Sequence, residues 1–204
     1  PIDEQAWRRL LAQSEQASWF QRPEAYRFLS HLHCLQAFAY GYEERGELVA
    51  LACGWIQAEG RGVKAWLTRR AIIQGGVLLS PTVSETVLAE LLQQLRRALA
   101  PQTIYVEIRN NSDYSPYREI FQQAGFVYQP HLNFLLPVTD ESKCLAALSE
   151  SKRRQWRKAQ QAGVTCTPAR NEEEVRLLYY LLRYTYARYV GTPLFPPEFF
   201  TQLY

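Results

Sequence analysis

The residues of this chain best suited to chemistry are cations. Between Ser149 and Val164 it reads Ser-Glu-Ser-Lys-Arg-Arg-Gln-Trp-Arg-Lys-Ala-Gln-Gln-Ala-Gly-Val. Wound as a helix of about 3.6 residues per turn, Arg153, Arg154, Arg157 and Lys158 share one face, with Trp156 and Ala159 opposite. Two like-charge pairs result at i,i+4, Arg153 with Arg157 and Arg154 with Lys158, each costing roughly 0.2–0.5 kcal/mol in an isolated helix. Lys152, Arg153 and Arg154 also stand near the helix N-terminus, where the macrodipole disfavours cations. A segment assembled against its own helical electrostatics points to an anion, either phosphate or nucleic acid. The opposing reading is a solvated surface helix anchored by Trp156. Arginine grips phosphate bidentately whereas lysine acts as a point charge, so Arg153, Arg154 and Arg157 are stronger candidates than Lys158.

A second set lies upstream. Glu107 and Arg109 alternate along a β-rich run, Thr103 to Arg109, so their side chains share a face. On a central strand they would make a cleft pair, with Glu107 accepting a proton and Arg109 contacting an anion. At a sheet edge they would be a structural ion pair. Arg22, in Phe20-Gln21-Arg22-Pro23, sits in a loop from which it could reach a phosphate or simply meet water. Tyr114 and Tyr117 read as packing residues. His31-x-His33-Cys34 lacks nearby carboxylates, and the four cysteines, Cys34, Cys53, Cys144 and Cys166, have no zinc spacing. They read as reduced thiols, with no metal expected. There is no Gly-x-Ser-x-Gly elbow, Walker A loop or dinucleotide fingerprint.

These residues need a scaffold, and 204 residues at 47% apolar content can build one. The net charge of +3 confines any nucleic-acid affinity to a local patch. No apolar run approaches the ~20 residues that span a bilayer, and no charged-then-apolar leader opens the chain, so a cytoplasmic location is expected. The start at Pro1 and the absence of methionine suggest that the true N-terminus is missing.

Periodicity predicts helices over Asp3 to Gln16 and from Pro23 through Leu32, then strands over Leu35–Tyr42 and Glu47–Gln57 about a Glu43–Gly46 turn. Strands are expected at Val63–Ile73 and Gly76–Leu79, with Gln74-Gly75 as a turn between them. Ser84 should cap a helix to Leu99, followed by a strand over Thr103–Arg109, a helix over Tyr117–Ala124 closed by Gly125, and a strand over Phe126–Val138. Beyond Val138 the pattern predicts a short helix capped by Asp140, the cationic helix, a brief strand over Val164–Pro168, a helix over Glu172–Arg188 and a last one after Pro196-Pro197. The order suits a mixed α/β sheet.

The run Ser151–Val164 resembles the signature of FemAB-type transferases, in which a Lys/Arg-rich helix ends in Lys-Ala, a polar pair and Gly-Val. Further pieces agree in order: Trp19-Phe20-Gln21-Arg22-Pro23-Glu24, Tyr105-Val106-Glu107-Ile108-Arg109, Phe121-Gln122-Gln123-Ala124-Gly125-Phe126 and His131-Leu132-Asn133-Phe134. The resemblance covers nearly the whole chain. FemAB-type enzymes are peptidoglycan interpeptide-bridge aminoacyltransferases of the GNAT superfamily with two tandem GNAT-like domains.

The resemblance therefore implies an α/β fold, a GNAT-like mixed sheet with flanking helices followed by the start of a second GNAT-like domain. The expected divisions are 1–139 and 140–204, the second incomplete. It also implies transfer of an amino acid from aminoacyl-tRNA to an amine of a peptidoglycan precursor, a UDP- or lipid-linked muramyl peptide, without a metal or a tightly held cofactor. A peripheral contact with the inner membrane surface would go with a lipid-linked precursor. In the family, basic residues of the helix motif help hold precursor phosphates, and Lys152, Arg153 and Arg154 match them, with Arg22 in a substrate-proximal loop. The acyl-CoA diphosphate loop of standard GNAT enzymes, Arg/Gln-x-x-Gly-x-Gly/Ala before a helix, is not evident, and Gln74-Gly75-Gly76 is only a weak echo of it. Two other readings stand beside this one: an acyl-CoA-dependent GNAT N-acyltransferase acting on a sugar or polysaccharide precursor, and a non-catalytic module that binds RNA or other anions through its arginine face.

Overall fold

The computed structural model describes residues 2–132, 136–191 and 194–204. They form two compact units, Pro1–Pro130 with Phe195–Leu203, and His131–Leu194 with Tyr204. The last helix, placed by sequence in the 140–204 division, thus clusters with the first unit. No helix among the described residues is long and apolar enough to cross a membrane.

The first unit is organised by β2 (Glu47–Gln57), whose near-continuous apolar run is buried on both faces. From Ala50 onward its side chains alternate. Ala50, Ala52 and Ile56 enter one core, and Leu51, Cys53 and Trp55 enter the layer on the other side. β1 (Gln36–Glu44) pairs with it antiparallel through a tight turn at Arg45 and Gly46, both at positive φ. On one face lies α4 (Glu85–Leu99), started by Ser84, which accepts from Val87 N, and burying Leu88, Leu91, Leu92, Leu95 and Leu99. On the other lie α1 (Glu4–Gln13), through Trp7 and Leu10, and α2 (Pro23–His31), through Leu29. α9 (Pro197–Leu203) returns to this second face, where Phe199 meets Phe28 edge-on at 5.2 Å.

The strand after β2 is broken. β3 (Arg70–Gly75) pairs with β2 antiparallel, with Trp55 opposite Ile72, whereas β4 (Leu78–Leu79) pairs with it at Leu51 opposite Leu78. Three residues of β2, Ala52–Gly54, therefore stand against five, Ile73–Val77. The two-residue excess is a bulge. Gly75 and Gly76 make it, at φ 95° and 91°, backbone conformations that side-chain-bearing residues rarely adopt. Gly54 permits it from the opposite strand, because a Cβ there would collide with the Ile72 carbonyl oxygen.

Gln21, wholly buried in the turn before α2, holds the bulge in place. Its Nε2 donates to the carbonyls of Gly75 and Gly76, 3.0 Å each, and its Oε1 accepts from the N–H and hydroxyl of Ser18. The indole N–H of Trp7 donates to the Gln21 carbonyl at 2.7 Å. β5 (Tyr105–Asn110) runs parallel to β3 at the edge of the sheet, from Arg70 opposite Tyr105 to Gly75 opposite Asn110. α5 (Arg118–Gln123) follows and ends at Gly125, with Arg96 donating to the Ala124 carbonyl.

Three expected strands are corrected. Val63–Ile73 begins instead as α3 (Val63–Leu67), a short helix entered from Gly62 at positive φ and closed by Thr68 hydrogen bonds to Glu59, so the strand starts only at Arg70. Gly76–Leu79 shrinks to β4 because the double-glycine bulge consumes its start. Phe126–Val138 forms no strand over its described residues, and Asn133–Leu135, which include part of the His131–Phe134 motif, lie outside them. Val127, Leu132, Leu136 and Val138 are exposed there, without the second buried face that a strand of that composition needs.

The second unit contains α6 (Glu141–Ala147), α7 (Glu150–Gln161) and α8 (Glu172–Thr185), capped by Asp140, Ser149 and Asn171. α8 runs on into a π-helical turn over Tyr186–Val190. Val164–Pro168 is exposed and is not a strand, a further correction with the same cause.

Two stability outcomes follow from the bulge. Gly54→Ala should cost about 1–3 kcal/mol in chemical denaturation, since the added methyl must displace the β3 backbone. Gln21→Ala should cost about 2–6 kcal/mol, because it strands two buried carbonyls, each worth about 1–3 kcal/mol. A Gln21→Ala protein as stable as wild type would show that the clamp is dispensable.

Candidate functional site

In open sheets with parallel strands, ligands collect at the strands' carboxyl ends. Here those ends belong to β3 and β5, and the bulge places polar groups beside them. Gln74 and Asn111 approach at 3.5 Å, while Asn110 Oδ1 and Tyr114 Oη crowd the position that a Gly76 Cβ would take. Tyr114 is buried and donates its hydroxyl to the Val77 carbonyl at 2.7 Å. Burial raises its phenol well above the usual range, so it serves as a hydrogen-bond donor and not as a base at neutral pH. The carbonyls of Gly75, Gly76 and Val77 are thus all held by side chains.

Cys53 lies on β2 beside the bulge, its thiol donating to the Phe20 carbonyl at 3.5 Å. Burial pushes that thiol up to about 12, so it stays protonated and is no nucleophile. Among the described residues no group of three or more His, Cys, Asp or Glu side chains could hold a metal ion.

Glu107 and Arg109 do share a face of β5, opposite Ile72 and Gln74 in register. They are joined bidentately, Nε to Oε1 at 2.7 Å and Nη2 to Oε2 at 3.1 Å, and both are partly exposed. Both carboxylate oxygens are engaged by this pair. Arg22 caps α2 from an exposed position next to the Gln21 clamp and has no carboxylate partner among the described residues. Tyr117 packs with Tyr114, while Tyr114 combines packing with the hydrogen bond that its sequence position does not announce.

In the second unit, Ser149 starts α7 by accepting from Lys152 N at 3.4 Å. Lys152, Arg154, Arg157 and Lys158 are exposed, and no salt bridge joins any cation of α7 among the described residues. Elsewhere Arg8, Arg27, Arg70, Arg109, Arg170 and Arg176 each meet a glutamate. Arg153 is the exception on its helix, partly covered, with a buried Nε that finds no hydrogen-bond partner among the described residues. The orientation expected from the helical wheel is corrected here. Trp156 is 38% exposed, so it does not anchor the helix as a buried side chain, and the less exposed positions are Arg153 and Ala159.

Sequence reasoning missed Gln21, Asn110 and the Tyr114 hydroxyl. The usable signal was Gly75-Gly76 inside an apolar run, which marks a bulge or a close backbone approach as readily as a turn.

No protein-family model and no curated protein matches the chain. Among solved structures it is similar to FemX, with a TM-score of 0.64 and 15% identity over 100% of this chain and 53% of that one. It therefore spans about half the length of FemX. Looser likenesses, with TM-scores of 0.44 and 0.46, link it to the ribosomal-protein-alanine N-acetyltransferase from Brucella melitensis biovar Abortus 2308 and the aminoglycoside 6'-N-acetyltransferase AAC(6')-Ih from Acinetobacter baumannii. Their identities are 15% and 14%, over 66% and 69% of this chain and 92% and 97% of theirs. The chain has a FemX-like fold, a mixed α/β sheet with flanking helices.

Proposed function

We propose that the chain is part of a GNAT-type transferase of the FemAB kind, moving an amino acid from aminoacyl-tRNA to an amine of a peptidoglycan precursor. The observation that carries this reading is the unneutralised cationic helix. Lys152, Arg154, Arg157 and Lys158 are exposed on α7 with no carboxylate partner among the described residues, and Glu150, the one acid of that helix, pairs with none of them. Such a face supports binding of a diphosphate or a nucleic-acid backbone. It stands within the segment whose sequence resembles the FemAB signature.

In the reaction, the acceptor amine attacks the ester carbonyl of the aminoacyl-tRNA. The tetrahedral intermediate collapses to an amide, and the terminal ribose oxygen leaves with the proton that the amine gave up. The oxyanion needs fixed donors, and peptide N–H groups of the bulge, whose carbonyls are already held by Gln21 and Tyr114, suit that role. Glu107 is the proposed proton acceptor, once one of its oxygens is released by Arg109. Arg109 and Arg22 are the proposed anion contacts of the first unit.

The helix after the broken strand supports the choice of donor. α4 opens with Ser84 and Glu85, preceded by Ser80-Pro81-Thr82-Val83, without glycine. A carboxylate in the first turn opposes a diphosphate at that helix N-terminus. This speaks against acyl-CoA.

Titration of UDP-linked muramyl pentapeptide into the chain by calorimetry should give saturable binding, and CoA none. Arg154→Ala, an exposed change, should weaken precursor binding at least about tenfold without altering the fold. CoA binding without precursor binding would favour the N-acyltransferase reading. Affinity for RNA alone, lost steeply with salt, would favour the non-catalytic module. In a transfer assay with aminoacyl-tRNA, Glu107→Gln should slow turnover with little change in precursor affinity, and unchanged turnover would reduce Glu107 to half of an ion pair.

A further inference from the structure

Residues 58–69 join Gln57 to Arg70, which are directly opposite one another in the antiparallel β2–β3 pair. A two-residue turn would close that hairpin, so the fold itself does not need the excursion. Within it, α3 is amphipathic the wrong way round. Ala65 turns partly inward, while Val63, Trp66 and Leu67, at i, i+3 and i+4, form a stripe that is 75%, 69% and 55% exposed. The helix buries none of its residues. Beneath it an open cavity of about 420 Å³ remains, lined by Ala65 and Trp66 from the helix and by Cys34, Gln36 and Ile56 from the sheet side. Ile104, whose N–H donates to the Arg69 carbonyl, adds another exposed apolar residue beside it.

Cations neighbour this stripe along the chain. Arg61 and Lys64 are exposed with no carboxylate partner among the described residues, and Arg69 is held only by the Gln36 side chain. The one acid of the excursion, Glu59, is paired with Arg70. The excursion is also held at its base, by Thr68 on the Glu59 backbone, so its tip is presented as a formed helix.

We infer that α3 and its flanks are a wedge that docks the protein on an anionic lipid bilayer. Val63, Trp66 and Leu67 would enter the interface, with Arg61, Lys64 and Arg69 at headgroup level. Tryptophan and long cationic side chains are the residues that prefer that boundary, and an apolar stripe flanked by cations complements an acidic leaflet. An acidic partner without an apolar groove would match the charges but leave the apolar stripe in water. The lipid surface matches both. The wedge stands at the end of the sheet where β3 and β5 begin, opposite the end that carries the bulge, so docking leaves the bulge uncovered. The inference does not depend on the transfer reaction, because binding is read without substrate.

The test is flotation of the whole chain with phosphatidylglycerol–phosphatidylcholine vesicles against pure phosphatidylcholine vesicles. Wild type should float with the first, lose binding as salt rises, and stay unbound with the second. Trp66→Ser should lower partitioning at least about tenfold. Lys64→Glu should lower it by about fivefold or more. Both positions are exposed, and circular dichroism should show both variants folded. Wild type that floats with neither vesicle overturns the inference, as does binding unchanged in both variants. Self-association of wild type, abolished by Trp66→Ser without any vesicle binding, assigns the stripe to a second copy and also overturns it.

Discussion

The first unit turns on one buried amide. Gln21 has no exposed surface, and each polar atom of its side chain is engaged, the oxygen by Ser18 and the nitrogen by two successive carbonyls of the bulge. A buried amide left unmatched would be costly, so the contact fixes geometry as much as it adds stability. Through it the turn before α2, the indole of Trp7 on α1 and the break between β3 and β4 become one assembly. The break lets the same stretch of chain pair with β2 in two registers while its first half lies parallel to β5. Asn110 and Tyr114 then come to the bulge because β5 is aligned by that parallel pairing.

The sequence was most informative where burial of a continuous run or a local cap decided the element. The ends of β2 read directly from its apolar run, and Ser84, Asp140 and Ser149 marked their helices because caps are local chemistry. It misled where apolar residues are exposed. Val63, Trp66 and Leu67 look like strand material, and Val127, Leu132 and Val138 like a sixth strand, because composition records hydrophobicity but not whether a neighbour exists. The site was legible in part. Glu107 and Arg109 were placed on one face by alternation alone, yet whether their strand was central or at the edge depends on pairing, which alternation does not specify. Gln21 was invisible for a different reason. Its partners are main-chain carbonyls 54 and 55 residues away, and carbonyls leave no mark in a sequence.

Charge is distributed unevenly along the chain. Around α1 and α2, Glu4, Arg8, Glu24 and Arg27 neutralise one another, and such exposed pairs contribute little to stability. They do quiet that surface electrostatically. Among the described residues no acid pairs with the cations of α7 or with Arg61, Lys64 and Arg69, so a net charge of only +3 conceals two concentrated positive surfaces. Arg153 differs even within α7, since its Nε is shut away from water with no acceptor among the described residues.

The return of α9 to the first unit has a consequence for how the chain folds. Glu198 accepts from the N–H of His33 across 165 residues, and Phe199 packs on Phe28, so one corner of the early-made layer waits for residues made much later. Residues 131–194 are then a long excursion within a unit that begins before them and is completed after them. Closing so long a loop costs entropy that grows only slowly with length, but it delays the contact. During synthesis the sheet and α4 can assemble first, while Phe28 and its neighbours stay uncovered. On unfolding the same corner should open early, which makes the α2–α9 seam the natural place for a chaperone or a protease to find this protein.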